Sequence, residues 1–172
     1  ECRWMRVCSA QSSGFVIELS QRGRSAVSES AAFLRQLDIF QGLDDADVAR
    51  VAELCRAQTV PAGDVIVTIG EAAEVFYLVR QGTVEISTQR PDDSAADGVC
   101  LTLGRGQMFG EMALVDRGAR SATARALTDV LLFVIRCDQF LDLCEQCPRL
   151  GYLVMRNIAA DLSFKLRQRN LI

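Results

Sequence analysis

The sequence has no histidine, a single lysine (Lys165), and only 3 prolines and 1 tryptophan among 172 residues. Without histidine it lacks the commonest general base at neutral pH and the usual axial ligand of haem. Long apolar runs are missing as well. The longest in the core, Val130-Leu131-Leu132-Phe133-Val134-Ile135, is far short of the roughly 18 residues a membrane-spanning helix needs. No stretch near the N-terminus has the length of a signal-peptide core. The chain starts at Glu1 rather than a methionine, so it reads as part of a longer protein whose other regions are open. Nor is there an excess of one charge: 19 basic and 22 acidic residues leave −3, which gives no broad attraction for nucleic acid or anionic lipid.

Cysteine is not scarce, but its pattern excludes a good deal. There are 7, an odd number, at positions 2, 8, 55, 100, 137, 144 and 147. Such scatter fits a reducing compartment better than a disulfide framework. Cys144-Glu145-Gln146-Cys147 has metal-ligand spacing, yet no second such pair and no histidine complete a zinc set. A helical pattern leads into the pair and Pro148 follows it, the reverse of a redox motif that opens a helix. These cysteines read as structural. With no nucleophile–base pair and no metal set to assemble, an enzyme is not expected.

What is present is an ordinary globular composition, 49% hydrophobic and 24% charged. Residues 1–30 stand apart: Trp4 to Ala10 and Phe15 to Ser20 predict a hairpin, and Gln21 to Ser25 a linker to an upstream domain. From Ser28 the period is helical, with Ala32, Phe33, Leu34, Leu37 and Phe40 on one face. Gly42 interrupts, and Leu43-Asp44-Asp45 opens a second helix with acids in its first turn. After Pro61-Ala62-Gly63 the period shortens to two. Val65–Val67, Val75–Val79, Thr83–Ser87, Val99–Leu103, Ala122–Ala126 and Val130–Ile135 read as short strands punctuated by glycine. Arg90 to Gly98 reads as a polar hairpin loop. Helix returns at Asp138, breaks at Pro148 and resumes over 149–172, where Leu150, Val154, Ile158, Leu162 and Leu166 form an apolar stripe. The expected fold is mainly β, a roll or sandwich flanked by helices.

The strand pattern is broken by Phe109-Gly110-Glu111-Met112-Ala113-Leu114, which reads as one helical turn inside the β region. Gly110 lets a ligand approach the amides of such a turn, and a helix start favours an anion. Arg120, nine residues after Glu111, can return across the loop and clamp that anion, with the Ser121 hydroxyl beside it. A carboxylate next to an anion site makes sense if it accepts from a sugar hydroxyl. A phosphate ester of ribose satisfies all three groups.

Gly110-Glu111-Met112-Ala113-Leu114, the gap to Ala119-Arg120, and Ser121-Ala122-Thr123 resemble the phosphate-binding cassette of cyclic-nucleotide-binding domains. Pro61-Ala62-Gly63, Gly70-Glu71, Phe76 to Val79, Gly82-Thr83-Val84 and Gly106 fall where that family has its turns and strands. One departure is Ala119, where many members carry proline. Over residues 31–172 the resemblance implies a β jelly roll (a double-stranded β-helix) with flanking N-terminal helices and a C-terminal lid helix. It implies that Glu111 meets a ribose hydroxyl and that the amides at Met112 and Ala113, with Arg120, meet a cyclic phosphate. Gly110, Ser121 and Ala122 complete the ligand contacts, and Lys165 and Leu166 on the lid face the base. The implied function is that of a regulatory sensor for a cyclic purine nucleotide, cAMP favoured over cGMP, which signals through its C-terminal helix. No cofactor beyond that ligand is expected, and no nucleic acid within this chain. The implied partners are an attached effector domain (channel, transporter, enzyme or DNA-binding) and a second copy through the C-terminal helix, in the cytoplasm or on a membrane's cytoplasmic face. The alternatives are the ligand-binding part of a DNA-binding regulator, and a degenerate domain that kept the fold for protein interaction.

Overall fold

The two most apolar strands are buried on both faces, and this sets the layering. In the computed structural model, which describes residues 27–88 and 100–169 (backbone only at 168 and 169), eight strands form two antiparallel sheets. They are β1 (Arg56–Val60), β2 (Val65–Val67), β3 (Val75–Gln81), β4 (Val84–Ser87), β5 (Cys100–Leu103), β6 (Met108–Phe109), β7 (Thr123–Ala126) and β8 (Val130–Arg136). One sheet runs β1-β8-β3-β6 and the other β2-β7-β4-β5, a jelly-roll-like arrangement. Along β3, Tyr77 and Val79 enter a core shared with Val84, Leu103 and Ala124 of the other sheet. Phe76 and Leu78 point the opposite way, into a second core under the helices. β8 divides likewise, Val130 and Leu132 inward to the roll, Phe133 and Ile135 outward. A strand covered on both faces reads as a continuous apolar run, which is why these two were the plainest in the sequence.

The helices close the outer face of the first sheet. They are α1 (27–34), α2 (Asp45–Leu54), α3 (Met112–Asp116), α4 (Cys137–Gln146) and α5 (Pro148–Arg169), with a 3₁₀ turn at Asp38–Phe40. Asp44 caps α2, its carboxylate accepting from the Asp47 amide at 2.9 Å. Asn157 of α5 donates to the carbonyls of Ile39 and Gln41 at 3.1 and 3.0 Å, tying the long helix to the 3₁₀ turn.

Several expectations shift. α1 is already helical at 27, with Ser30 buried and Val27 against the helical core, so the helix runs through the boundary expected at 30/31. The expected hairpin of residues 4–20 and the loop 90–98 lie outside the described residues. β1 was not anticipated: all its residues but Val60 are exposed, so it shows no alternation, and its place comes from pairing with β8 from Arg56↔Val134 to Val60↔Val130. The stripe of α5 does not stay buried. Leu150, Val154 and Ile158 are fully covered, Leu162 is partly covered, and Leu166 is 58% exposed.

Candidate functional site

The segment between β6 and β7 crosses from one sheet to the other, and the fold pins both of its ends. β6 pairs with β3 through Tyr77↔Phe109 and Leu78↔Met108. The chain then turns at Gly110, with φ of 78°, and enters α3 after Glu111. Arg117 leaves α3 in the left-handed conformation, φ 52°. The return is held against the turn at 68–72. Arg120 donates its amide to the Glu71 carbonyl at 2.8 Å and accepts from the Gly70 amide at 2.9 Å, while Ala119 bridges Ala72. These backbone bonds fix the approach to Arg120 where proline would otherwise restrict it.

Glu111 and Arg120 are both buried, at 5% and 7% exposure. Buried charges are expected to be paired, and the two differ in this respect. Arg120 lies over the Tyr77 ring at 5.6 Å, and Tyr77 stacks on Phe109 at 4.7 Å, so the guanidinium rests on an aromatic platform. Its Nη1 is out of solvent and has no hydrogen-bond acceptor. A Cβ at Gly110 would stand 2.5 Å from that nitrogen, so only glycine leaves room for it. A buried donor without a partner costs about 1–3 kcal/mol, and an anionic ligand is the group that would recover it.

Glu111 has its partner. Lys165 of α5 donates to Glu111 Oε1 at 2.8 Å, to the Met108 carbonyl at 3.1 Å, and pairs with Asp161 at 2.8 Å. Burial pulls the Lys165 pKa down, but the Glu111 and Asp161 carboxylates outweigh it and hold it above the ordinary lysine value. The ammonium is therefore charged throughout the neutral range. Lys165, expected to face a base, lines the cavity with its side chain and sets its ammonium on the Glu111 carboxylate.

Glu111 and Arg120 open onto one cavity of about 510 Å³, a size suited to a small organic ligand. Gly110, Met112, Ala113, Ser121 and Ala122 line it as well, and so do Lys165 and Leu166 from α5. Ser121 directs its hydroxyl at the Met112 sulfur, 3.3 Å away, a weak acceptor. The remaining wall is apolar: Val67, Ile86, Leu101, Leu103 and Phe109 come from both sheets, and Leu162 and Phe164 from α5. Apart from Phe109, which opens the segment singled out in the sequence, neither these wall residues nor the platform residue Tyr77 are legible as site residues, because strand side chains reach the cavity only through sheet pairing and those of α5 only through the docking of that helix. A buried guanidinium with an unpartnered nitrogen and a buried carboxylate thus stand at one end of a cavity whose remaining wall is apolar. Residues 57–147 match the family described as cyclic nucleotide-binding domain.

The chain belongs to that family.

Among its relatives is a cyclic nucleotide-gated potassium channel of Mesorhizobium japonicum, 38% identical over 66% of this chain and 29% of its own length. Another is the cyclic AMP receptor protein of Thermus thermophilus, 32% identical over 77% of this chain and 59% of its own length. The crystal structure of the Thermus thermophilus catabolite activator protein superposes with a TM-score of 0.66 at 32% identity, covering 78% of this chain and 60% of that one. The chain thus spans less than two thirds of the length of these relatives. It is a regulatory domain of the cyclic-nucleotide-binding kind, and the parts attached to its relatives lie beyond the matched length.

The cysteine pair sits apart from the cavity. Cys144 is within α4 and Cys147 caps its end. Burial, helped by Cys147, pushes the Cys144 thiol up to about 11. A thiol kept protonated is a poor nucleophile and a poor metal ligand. Among the described residues no cluster of three or more potential metal ligands occurs, and no helix is long and apolar enough to cross a membrane.

Proposed function

We propose that this domain is a sensor that binds a cyclic purine nucleotide in the 510 Å³ cavity, cAMP in preference to cGMP, and acts as a regulator rather than a catalyst. The observation that carries the reading is the buried Arg120 with an unpaired Nη1 beside Gly110. In this assignment Arg120 meets the cyclic phosphate together with the amides at Met112 and Ala113, and Glu111 accepts from the ribose. The base lies in the apolar slot between the roll and the end of α5, with Ser121 and Ala122 at its side. Ser121 directly after Arg120, as in the bacterial cAMP-binding members that the sequence resembles, favours cAMP. α5 carries the signal onward, since it is the element that both lines the cavity and leaves the roll. The names of the relatives, a gated channel and a cyclic AMP receptor, support an effector attached in the full-length protein. The channel favours an effector in a membrane.

Isothermal titration with cAMP, cGMP and linear AMP tests the reading. Micromolar or tighter binding of cAMP is expected, weaker binding of cGMP, and much weaker binding of AMP, whose phosphate is not held in the ring. Absence of heat with either cyclic nucleotide would contradict it and leave a domain that retains only the fold.

A further inference from the structure

We propose that Tyr77 is a positioning residue for the cyclic phosphate: the face of its ring holds the Arg120 guanidinium beside Gly110 and leaves the donor there to the ligand. The proposal rests on the assignment of Arg120 to the phosphate. A buried cation can be held by a carboxylate or by the face of an aromatic ring. A carboxylate accepts the N–H groups of a guanidinium and offsets its charge, so an anionic ligand has less to gain. A ring face attracts the charge through its quadrupole and need accept no N–H. Arg120 has the second arrangement. Its Cζ lies 5.6 Å from the centroid of the Tyr77 ring, and its Nη1 is buried with no acceptor. The acids on the adjoining segments are bonded elsewhere, Glu71 to the Thr68 amide at 3.0 Å and Glu111 to Lys165 at 2.8 Å.

The ring is itself fixed. Tyr77 is buried in β3, paired with Val134 of β8 on one side and with Phe109 of β6 on the other. Its ring lies at 10° to that of Phe109, with the centroids 4.7 Å apart. Gly110 follows Phe109 directly, and its missing side chain leaves the space that Nη1 occupies. The support of the platform, the space for the guanidinium and the amides at Met112 and Ala113 thus follow one another along a single stretch of chain. The β3–β6 pairing sets Arg120 against that stretch. Arg120 and Phe109 line the cavity, whereas Tyr77 is not part of its wall, so Tyr77 acts on a ligand through Arg120. Burial raises the pKa of the phenol, against a smaller lowering by Arg120. At neutral pH the ring therefore attracts the guanidinium through its face and not as a phenolate.

Substitutions that keep the shape of the ring and change its charge separate this role from packing. In the whole chain, position 77 is filled with phenylalanine and then with mono-, di- and trifluorophenylalanine, and cAMP is titrated into each. Fluorine draws charge from the ring face, so the attraction fades along the series while the core stays filled. Measured against Tyr77→Phe, the trifluoro ring should weaken cAMP about 5- to 30-fold, the range for a cation–π contact out of solvent. In an Arg120→Ala background the same series should leave the residual affinity level, because the ring has nothing left to position. Equal affinity along the series, or the same loss in both backgrounds, would overturn the proposal and make Tyr77 a packing residue. Denaturant midpoints of the ligand-free proteins give a readout that needs no nucleotide. They should fall further along the series with Arg120 present than in Arg120→Ala. Equal falls in the two backgrounds would mean that the ring does not hold the guanidinium, and would overturn the proposal as well. Failure of the parent to bind either cyclic nucleotide would overturn the binding reading and the positioning role with it. The midpoints would then still show whether the ring holds Arg120.

Discussion

Gly110 shows how tightly the residue scale is set. Its φ of 78° is one that side chains rarely adopt, and a methyl there would meet Arg120 Nη1 at 2.5 Å. Gly110→Ala should therefore lose about 1–2 kcal/mol of stability to backbone strain. It should also weaken cAMP binding about tenfold or more, because the guanidinium has to move from where the phosphate needs it. Paired thermal melts and titrations check both losses; a stability loss with unchanged affinity would mean that Arg120 does not meet the ligand. That Glu111 and Arg120 line one cavity was legible in the sequence, because a short loop limits how far two residues nine positions apart can separate. What Arg120 rests on was not. Tyr77 looks like a core residue of its strand and Phe109 opens the segment that breaks the strand pattern, and only the β3–β6 register stacks them.

At the scale of elements, apolar periodicity located what is buried and missed what is held by partners. β3, β8 and the first half of α5 were plain for that reason. β1 was invisible, because its exposed residues depend on β8 for their place. The end of α5 looked like a continuation of the stripe, yet Leu166 is exposed and the polar residue before it makes the contact. Helix periodicity shows a face, and it cannot show where the surface beneath that face ends. The α4–α5 corner makes a further test. A Cβ at Gly151 would come within 2.9 Å of the Cys144 Cβ and 3.0 Å of its carbonyl. Gly151→Val should cost about 1–3 kcal/mol by overpacking, read as a lower denaturant midpoint. An unchanged midpoint would mean that the helices cross further apart than described.

Among the described residues, the molecule keeps an unfavourable feature, a buried guanidinium nitrogen without its acceptor, at the place where a ligand would supply it. Stability and function then pull in opposite directions at Arg120, and this is the sharpest handle on the account. Ligand at 100 times its Kd should add about 2.7 kcal/mol to the unfolding free energy of the parent. Arg120→Ala removes an orphaned donor, so the free variant should unfold no more easily than the parent. Its affinity should fall about 10- to 150-fold, the range for a hydrogen bond to a charged group. At the same cAMP concentration the variant should then gain only about 0.3–1.4 kcal/mol. Thermal unfolding of parent and Arg120→Ala, each with and without cAMP, measures all of this at once. The account predicts equal melting of the two free proteins and a much smaller ligand shift in the variant. Equal ligand shifts in the two proteins would contradict it.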